Sequence, residues 1–177
     1  MRSRLDKPEH LGTGPGAEMT SVIPADFDNP VHAAAIVALL DEYASGPTGG
    51  NRPLSPFARN ELVSQLRARP TIHVLLAVAD ERAVGLAICI EGFSTFACKP
   101  LLNIHDLAVT RDFRGLGIGR MLLEEAEARA RELGCCKLTL EVLGGNDNAQ
   151  RLYRSCGYAP YELDPAVGKA MLWQRVL

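Results

Sequence analysis

The chain reads as a single α/β domain, a mixed and mostly antiparallel sheet flanked by helices around one β-α-β unit. Three observations predict this. Two β-rich runs, Thr71 to Ala79 and Ala83 to Glu91, are joined only by Asp80-Glu81-Arg82, which predicts an antiparallel hairpin. Two helices with clear start signals precede that hairpin. After it, a strand, a glycine-spaced loop, an amphipathic helix and another strand follow one another from Leu102 to Leu143, the order of a parallel crossover.

The elements follow in order. Residues 1–17 carry charges, Pro8, Pro15 and glycines without an apolar run, and are expected to be a disordered arm ahead of a domain spanning 18–177. Thr20 to Pro24 is a first strand. Asn29 caps a helix with Pro30 at its first position, Ile36, Leu39, Leu40 and Tyr43 share one face, and Gly46 ends it. Ser55 and Pro56 open a second helix, striped by Leu62, Val63 and Leu66 and stopped before Pro70. The glycine-rich loop between them, residues 45–54, is a candidate lid. Gly92 to Pro100 connects the hairpin to the strand Leu102 to Val109, its first half able to continue the strand. A helix from Ile118 to Leu133 buries Leu122, Ala126, Ala130 and Leu133, with Glu125–Arg129 and Glu127–Arg131 pairs on its outer side and Gly134 after it. Cys136 to Leu143 is a strand and 146–156 holds a short helix. Tyr158 to Glu162 and Lys169 to Val176 are expected as two last strands.

Composition bounds the function. The chain has 177 residues, 23% of them charged, a net charge of −2 and a pI near 6.1, and no basic patch of the kind that binds nucleic acid. No signal peptide or membrane span is legible, so a cytoplasmic location is expected. The five cysteines (89, 98, 135, 136, 156) are odd in number and form no C-x-x-C, and the four histidines are scattered. Reduced thiols and no metal are expected.

The chemistry concentrates at Arg114-Gly115-Leu116-Gly117-Ile118-Gly119-Arg120. A helix N-terminus offers unpaired N–H groups and the positive end of its dipole, and glycines let the backbone approach an anion. A P-loop would need Gly-Lys-Ser/Thr, but Gly119 is followed by Arg120 and Met121. A dinucleotide fingerprint would need glycine at 120 or 122, which are Arg and Leu. What remains is Arg-x-x-Gly-x-Gly between a strand and a helix.

This arrangement resembles the acetyl-CoA pyrophosphate loop of the GNAT N-acetyltransferase superfamily. A second stretch, Asn146-x-x-Ala149-x-x-x-Tyr153-x-x-x-Gly157-Tyr158, is similar to another pattern of that family, and the element order agrees over residues 20–177. The resemblance implies an acetyl-CoA-dependent transfer of acetyl to a primary amine, directly within a ternary complex. It implies acetyl-CoA as co-substrate, held by Arg114 to Arg120, by the backbone of Leu107, Ala108 and Val109, and by Asn146 and Ala149. Leu107 N–H would polarise the thioester carbonyl, and Tyr153 would face the sulfur and protonate the leaving thiolate.

Acetylating an amine also requires a base. His105 and Asp106 are polar residues in an otherwise apolar strand, and Asp106-Leu107-Ala108-Val109 resembles the acceptor-facing stretch of aminoglycoside and polyamine acetyltransferases. Asp106 is the candidate base or amine anchor, and His105 the alternative base or its partner. A period of two puts them on opposite faces; the bulge that the resemblance implies would undo that. Asn103 stands where histone-type relatives carry a catalytic glutamate. The acceptor, a small molecule or peptide amine, would be walled by residues 43–58 and 158–173, which offer Tyr43, Asn51, Arg52, Phe57, Tyr158, Tyr161 and Trp173. A homodimer is compatible with the resemblance. A non-catalytic CoA-binding or regulatory module on the same fold is the alternative, and the presence of Tyr153 with His105 and Asp106 favours the enzyme.

Overall fold

Side-chain caps start both early helices. The computed structural model describes residues 20–162, 164–166 and 168–176, so the N-terminal arm expected over 1–17 lies outside the described residues. After β1 (Ser21–Pro24), Asn29 Oδ1 accepts from Val31 N–H at 2.9 Å and opens α1 (Pro30–Ser45). Ser55 Oγ accepts from Ala58 N–H at 3.1 Å and opens α2 (Pro56–Arg67). Each cap satisfies a donor that the first helical turn leaves unpaired, worth about 1 kcal/mol.

β2 (Ile72–Ala79) and β3 (Arg82–Ser94) form the expected hairpin. Its turn is Asp80 and Glu81 alone, at φ 47° and 61°, a left-handed pair whose twist suits the strands it joins. β4 (Lys99–Val109), α3 (Ile118–Glu132), β5 (Leu138–Leu140) and α4 (Asp147–Ser155) complete the order. The strands lie β1-β2-β3-β4-β5, antiparallel except for β4 and β5, which α3 joins as a parallel pair.

The sheet has a core on each face. One side packs Val84, Ala87, Cys89, Leu102 and Ile104 against Ile118, Leu122, Leu123, Ala126 and Ala130 of α3. The other packs Val74, Leu76, Leu86, Ile88 and Ala108 against Ile36 and Leu39 of α1 and Leu66 of α2. Burying a side chain the size of Leu122 contributes about 1.5–3 kcal/mol, so α3, with five buried residues, is the best-anchored helix. Its Arg131 pairs with Glu127 as expected, whereas Arg129 turns to Glu132 at 2.9 Å rather than to Glu125.

Three expectations change. The connector before β4 shrinks to Thr95–Cys98, because β3 runs on to Ser94 and β4 already begins at Lys99. The strand expected over 136–143 is reduced to Leu138–Leu140, because its partner β4 stops pairing with it there. The two last strands do not form among the described residues. Only an isolated Glu162–Lys169 bridge stands in their place, in a segment interrupted by Pro160, Pro165 and Gly168, and Met171, Leu172 and Trp173 are exposed.

Candidate functional site

The site forms along the two edges of β4. On one edge the strand pairs with β3 from Gly85–Val109 to Ser94–Lys99, with one slip: Asp106 faces Ile88 while Ile104 faces Cys89, so His105 is the extra residue. Before the slip Leu102 and Ile104 point to the α3 side; after it Leu107 and Val109 do, and Ala108 points to the α1/α2 side. This bulge reverses the face parity of β4. Asp106 thus emerges on the α1/α2 face with Ala108, and simple alternation does not separate it from His105.

On its other edge β4 pairs with β5 only from Leu102–Leu138 to Ile104–Leu140. Beyond that point it runs to Val109 without a partner strand among the described residues. Thr110 N–H bonds to Val84 O on β3 at 2.9 Å. Alternation along an antiparallel pair then turns the peptide groups of Leu107 and Val109 toward the opening, and those of Ala108 toward β3. Of the three backbone positions expected to meet a ligand, Leu107 and Val109 turn their peptide groups toward the opening and Ala108 toward β3.

The glycine loop follows a 3₁₀ turn at Arg111–Phe113, whose Arg111 N–H is held by Glu42 Oε1 of α1 at 3.1 Å. Gly115 and Gly117 have φ of 79° and 85°, backbone that L side chains rarely adopt. Gly117 caps α3 without any side-chain hydrogen bond, so no side chain among the described residues caps the first-turn N–H groups. Ile118 is buried and anchors the loop, while Leu116 is exposed. Arg114 Nε donates to Val109 O at 2.9 Å, tying the loop back to β4. Gly119 has a packing role: a Cβ there would stand 2.9 Å from Leu152 Cδ2 of α4. Arg120 Nη2 donates to Ser155 Oγ at 2.8 Å, so it too fastens α3 to α4.

Across the opening, Asn146 Oδ1 accepts from Ala149 N–H at 3.2 Å and caps α4. The same residue pair therefore has a structural task. Tyr153 is half-buried on the α3 side, its ring 6.1 Å from that of Tyr158. Burial, and then the neighbouring Tyr43, push the Tyr153 phenol above its ordinary pKa. Burial raises the Asp106 carboxyl, while His105 pulls it the other way. Tyr43 is raised by burial and by the charge of Asp106. Asp106, Tyr43 and Tyr153 are therefore electrostatic neighbours, although they come from β4, α1 and α4.

Two residues have a larger part than the sequence suggested. Tyr43 is one of several aromatic side chains expected near an acceptor; the charge of Asp106 bears on its phenol, and Tyr43 in turn bears on Tyr153. Glu141 is the second. Asn103 Nδ2 lies 3.1 Å from Thr139 Oγ1 and 3.3 Å from each carboxylate oxygen of Glu141, which places a second carboxylate at the mouth of the opening. The alternation of Thr139 and Glu141 along one face was the available signal. Phe57, Tyr161 and Trp173 are exposed. The loop read as a lid is tied down: Arg52 N–H bonds to Ala44 O at 3.2 Å, and Asp41 Oδ1 accepts from Leu54 N–H at 2.7 Å and from Arg59 Nε at 3.1 Å. A cleft of about 640 Å³ separates Pro47 and Thr48 of this loop from Leu143, Asn146 and Arg151; Asp106 and Tyr153 do not line it. No helix among the described residues is long and apolar enough to cross a membrane.

Known proteins resemble this chain in sequence and in fold. Streptothricin acetyltransferase of Streptomyces lavendulae is 40% identical over 95 residues, half of this chain and half of that protein. Thialysine N-epsilon-acetyltransferase of Caenorhabditis elegans is 30% identical over 129 residues, 73% of this chain and 78% of that one. Among solved structures, an aminoglycoside acetyltransferase from an uncultured soil metagenomic sample superposes with a TM-score of 0.71 at 19% identity, covering 89% of this chain and 96% of that one. A transcriptional regulator from Bacillus halodurans superposes with a TM-score of 0.73 at 19% identity, covering 89% and 100%; at such identities the likeness is one of fold. The acetyltransferase (GNAT) family matches residues 36–158, which include the bulged strand, the uncapped glycine loop and Tyr153. The chain belongs to the GNAT acetyltransferase family.

Proposed function

We propose that the protein transfers an acetyl group from acetyl-CoA to a primary amine by direct attack within a ternary complex. The observation that carries this reading is the parting of β4 from β5 directly ahead of an α3 N-terminus with no side-chain cap. The opening suits a pantetheine arm, with Leu107 and Val109 offering backbone groups, and the Gly115–Gly119 loop suits a pyrophosphate. The glycine backbone, the free edge and the dipole all fit that molecule. Acetyl-CoA supplies an acyl group already activated as a thioester.

The remaining roles fall to the chain. Leu107 N–H donates to the carbonyl oxygen as charge develops there. Asp106 accepts the proton that the attacking nitrogen must shed, and its raised pKa makes it a stronger base than an exposed carboxylate. Tyr153 gives its proton to the departing sulfur, and its raised pKa keeps it protonated until then. His105, exposed beside Asp106, tunes that carboxyl. Glu141 is positioned to attract a cationic acceptor. We place the domain at 18–177, in the cytoplasm, with a homodimer as its assembly.

Streptothricin and thialysine, named by two relatives, and a polyamine make a first acceptor panel. Saturating acetyl-CoA should raise the melting temperature; at a hundred times Kd the gain is about 2.7 kcal/mol. At least one amine of the panel should accelerate loss of the thioester absorbance. A melting shift with no turnover on any amine would favour a CoA-binding regulatory module, and no shift would remove acetyl-CoA from the account.

A further inference from the structure

The cleft of about 640 Å³ beside the opening is of ligand size. One wall, Pro47 and Thr48, belongs to the α1–α2 loop, and α1 and α2 cover the face on which Asp106 emerges. The other wall belongs to the segment that leads from β5 into α4. Both walls are tied in place. The Tyr43 hydroxyl donates to Thr48 O at 3.5 Å, and Gly49 N–H donates to Gly46 O at 3.0 Å. Opposite them, Gln150 Nε2 donates to Gly144 O at 2.8 Å and to Leu143 O at 3.2 Å. Gly145 lines the cleft, and a Cβ there would meet nothing within 4 Å, so the space beside it is open.

Two charged side chains stand in this cleft without an ionic partner. Asp147 and Arg151 are four residues apart on α4, a spacing at which acid and base usually pair. No ion pair joins them, and neither pairs with another residue among the described ones. Arg151 Nη2 donates to Asn148 Oδ1, which uses one of the five donors of the guanidinium. The sign of the charge also changes along the path inward. Arg151 lies in the cleft, Glu141 stands at the mouth of the opening beside Asn103, and Asp106 stands within. A molecule with a carboxylate at its outer end and an amine at its inner end matches that order. Asp106 does not line the cleft, so a head group held there must carry the reacting amine on an arm of several atoms.

Resting on the acetyl-transfer reading above, we propose that the acceptor is a free α-amino acid with a terminal side-chain amine, and that this cleft is the subsite for its head group. Arg151 takes the α-carboxylate through its planar fork, and Asp147 takes the α-ammonium. The side-chain arm runs into the opening, where Glu141 attracts its ammonium and Asp106 meets the amine. The C–N bond forms as the C–S bond breaks. The products are the side-chain N-acetyl amino acid, free CoA and one proton released to water. Arg151 and Asp147 hold the acceptor and take no part in the bond changes.

Three amines of equal reach separate the two contacts. Lysine carries both head groups, 6-aminohexanoate lacks the α-ammonium, and 1,5-diaminopentane lacks the carboxylate. With the unaltered protein, each omission should lower kcat/KM about tenfold. Arg151→Gln should raise KM about tenfold for lysine and 6-aminohexanoate and leave 1,5-diaminopentane unchanged. Asp147→Asn should raise it for lysine and 1,5-diaminopentane and leave 6-aminohexanoate unchanged. Neither substitution should alter kcat. Loss of thioester absorbance is the readout, because exposed Cys98 and Cys136 would consume a thiol reagent. The acetyl-CoA melting shift should survive both substitutions; its loss in Arg151→Gln would give the cleft to the cofactor and overturn the proposal. A KM rise for 1,5-diaminopentane in Arg151→Gln as large as that for lysine would overturn it too. Turnover of any amine by the unaltered protein, with lysine no better than 1,5-diaminopentane, overturns the subsite and leaves acetyl transfer standing. No turnover of any amine overturns both.

Discussion

The β3–β4 seam and the β4–β5 seam share a strand and use it in opposite ways. Along the first, β4 is paired from end to end, and a single bulge at His105 is absorbed without opening the sheet. Along the second, pairing ends after Ile104–Leu140 and the strands part. Unpaired backbone is costly when buried and dry, so an open edge persists only where water or a ligand reaches it. The paired seam fixes where β4 lies, and the open seam leaves Leu107 and Val109 with groups to offer. The bulge links the two, because it turns Asp106 to the face from which Tyr43 approaches.

The largest expected effect lies on the open seam. Tyr153→Phe removes the proton donor and keeps the ring that packs beside Tyr158. Turnover should fall by about 10²–10⁴, with the acetyl-CoA melting shift preserved. A variant that turns over at the unaltered rate would show the thiolate leaving without a proton from Tyr153, and the opening would then serve only to bind.

The paired seam should respond through stability. Gly85 of β3 faces α3, and a Cβ there would meet Ala108 O at 3.0 Å, Leu122 Cδ1 at 3.2 Å and Ile118 Cγ2 at 3.3 Å. Overpacking of this kind costs about 1–3 kcal/mol, while replacing glycine inside a strand returns about 0.5–1 kcal/mol. Gly85→Ala should therefore lose on the order of 1 kcal/mol in denaturant unfolding. Because Ile118 starts α3, the acetyl-CoA melting shift should also weaken. Unchanged stability would mean that α3 can retreat from the sheet, and that the contrast between a rigid seam and an open one is overdrawn.

How far each seam could be read from the sequence follows from the range of the interactions behind it. The caps at Asn29 and Ser55, the hairpin and the strand–glycine–helix order depend on neighbours within a few residues, and all are in place. The uncapped turn at Gly117 was equally legible, because glycine spacing is a local property. Tyr43 showed as an apolar-face position and as one of several aromatics near an acceptor, since a helical period reveals the face and not what stands opposite it. Its electrostatic link to Asp106 and Tyr153 depends on packing among three distant segments. Glu141 was hidden for a related reason: its link to Asn103 depends on the parallel register of β4 and β5. The apolar residues of 158–162 and 169–176 suggested strands, but a strand needs an edge to join, and β5 presents only three residues.

Asp106 stands where the seams meet, and the smallest expected effect tests it. Burial raises its folded pKa above the unfolded value near 3.8. Below that value both states hold the proton, and the carboxyl carries no penalty. As pH rises toward the folded pKa, the unfolded chain has released a proton that the native state still holds, so stability declines through this window. Above the folded pKa the native state bears the full cost of a half-buried charge. Asp106→Asn removes that cost. Its melting temperature should exceed that of the unaltered protein by a few degrees at most at neutral pH, and the difference should vanish on acidification past the unfolded value. Its turnover should fall at the same time. A variant that lost activity and also melted lower at neutral pH would mean that the charge is satisfied by His105. The bulge would then be holding an ion pair rather than presenting a strained base to the opening.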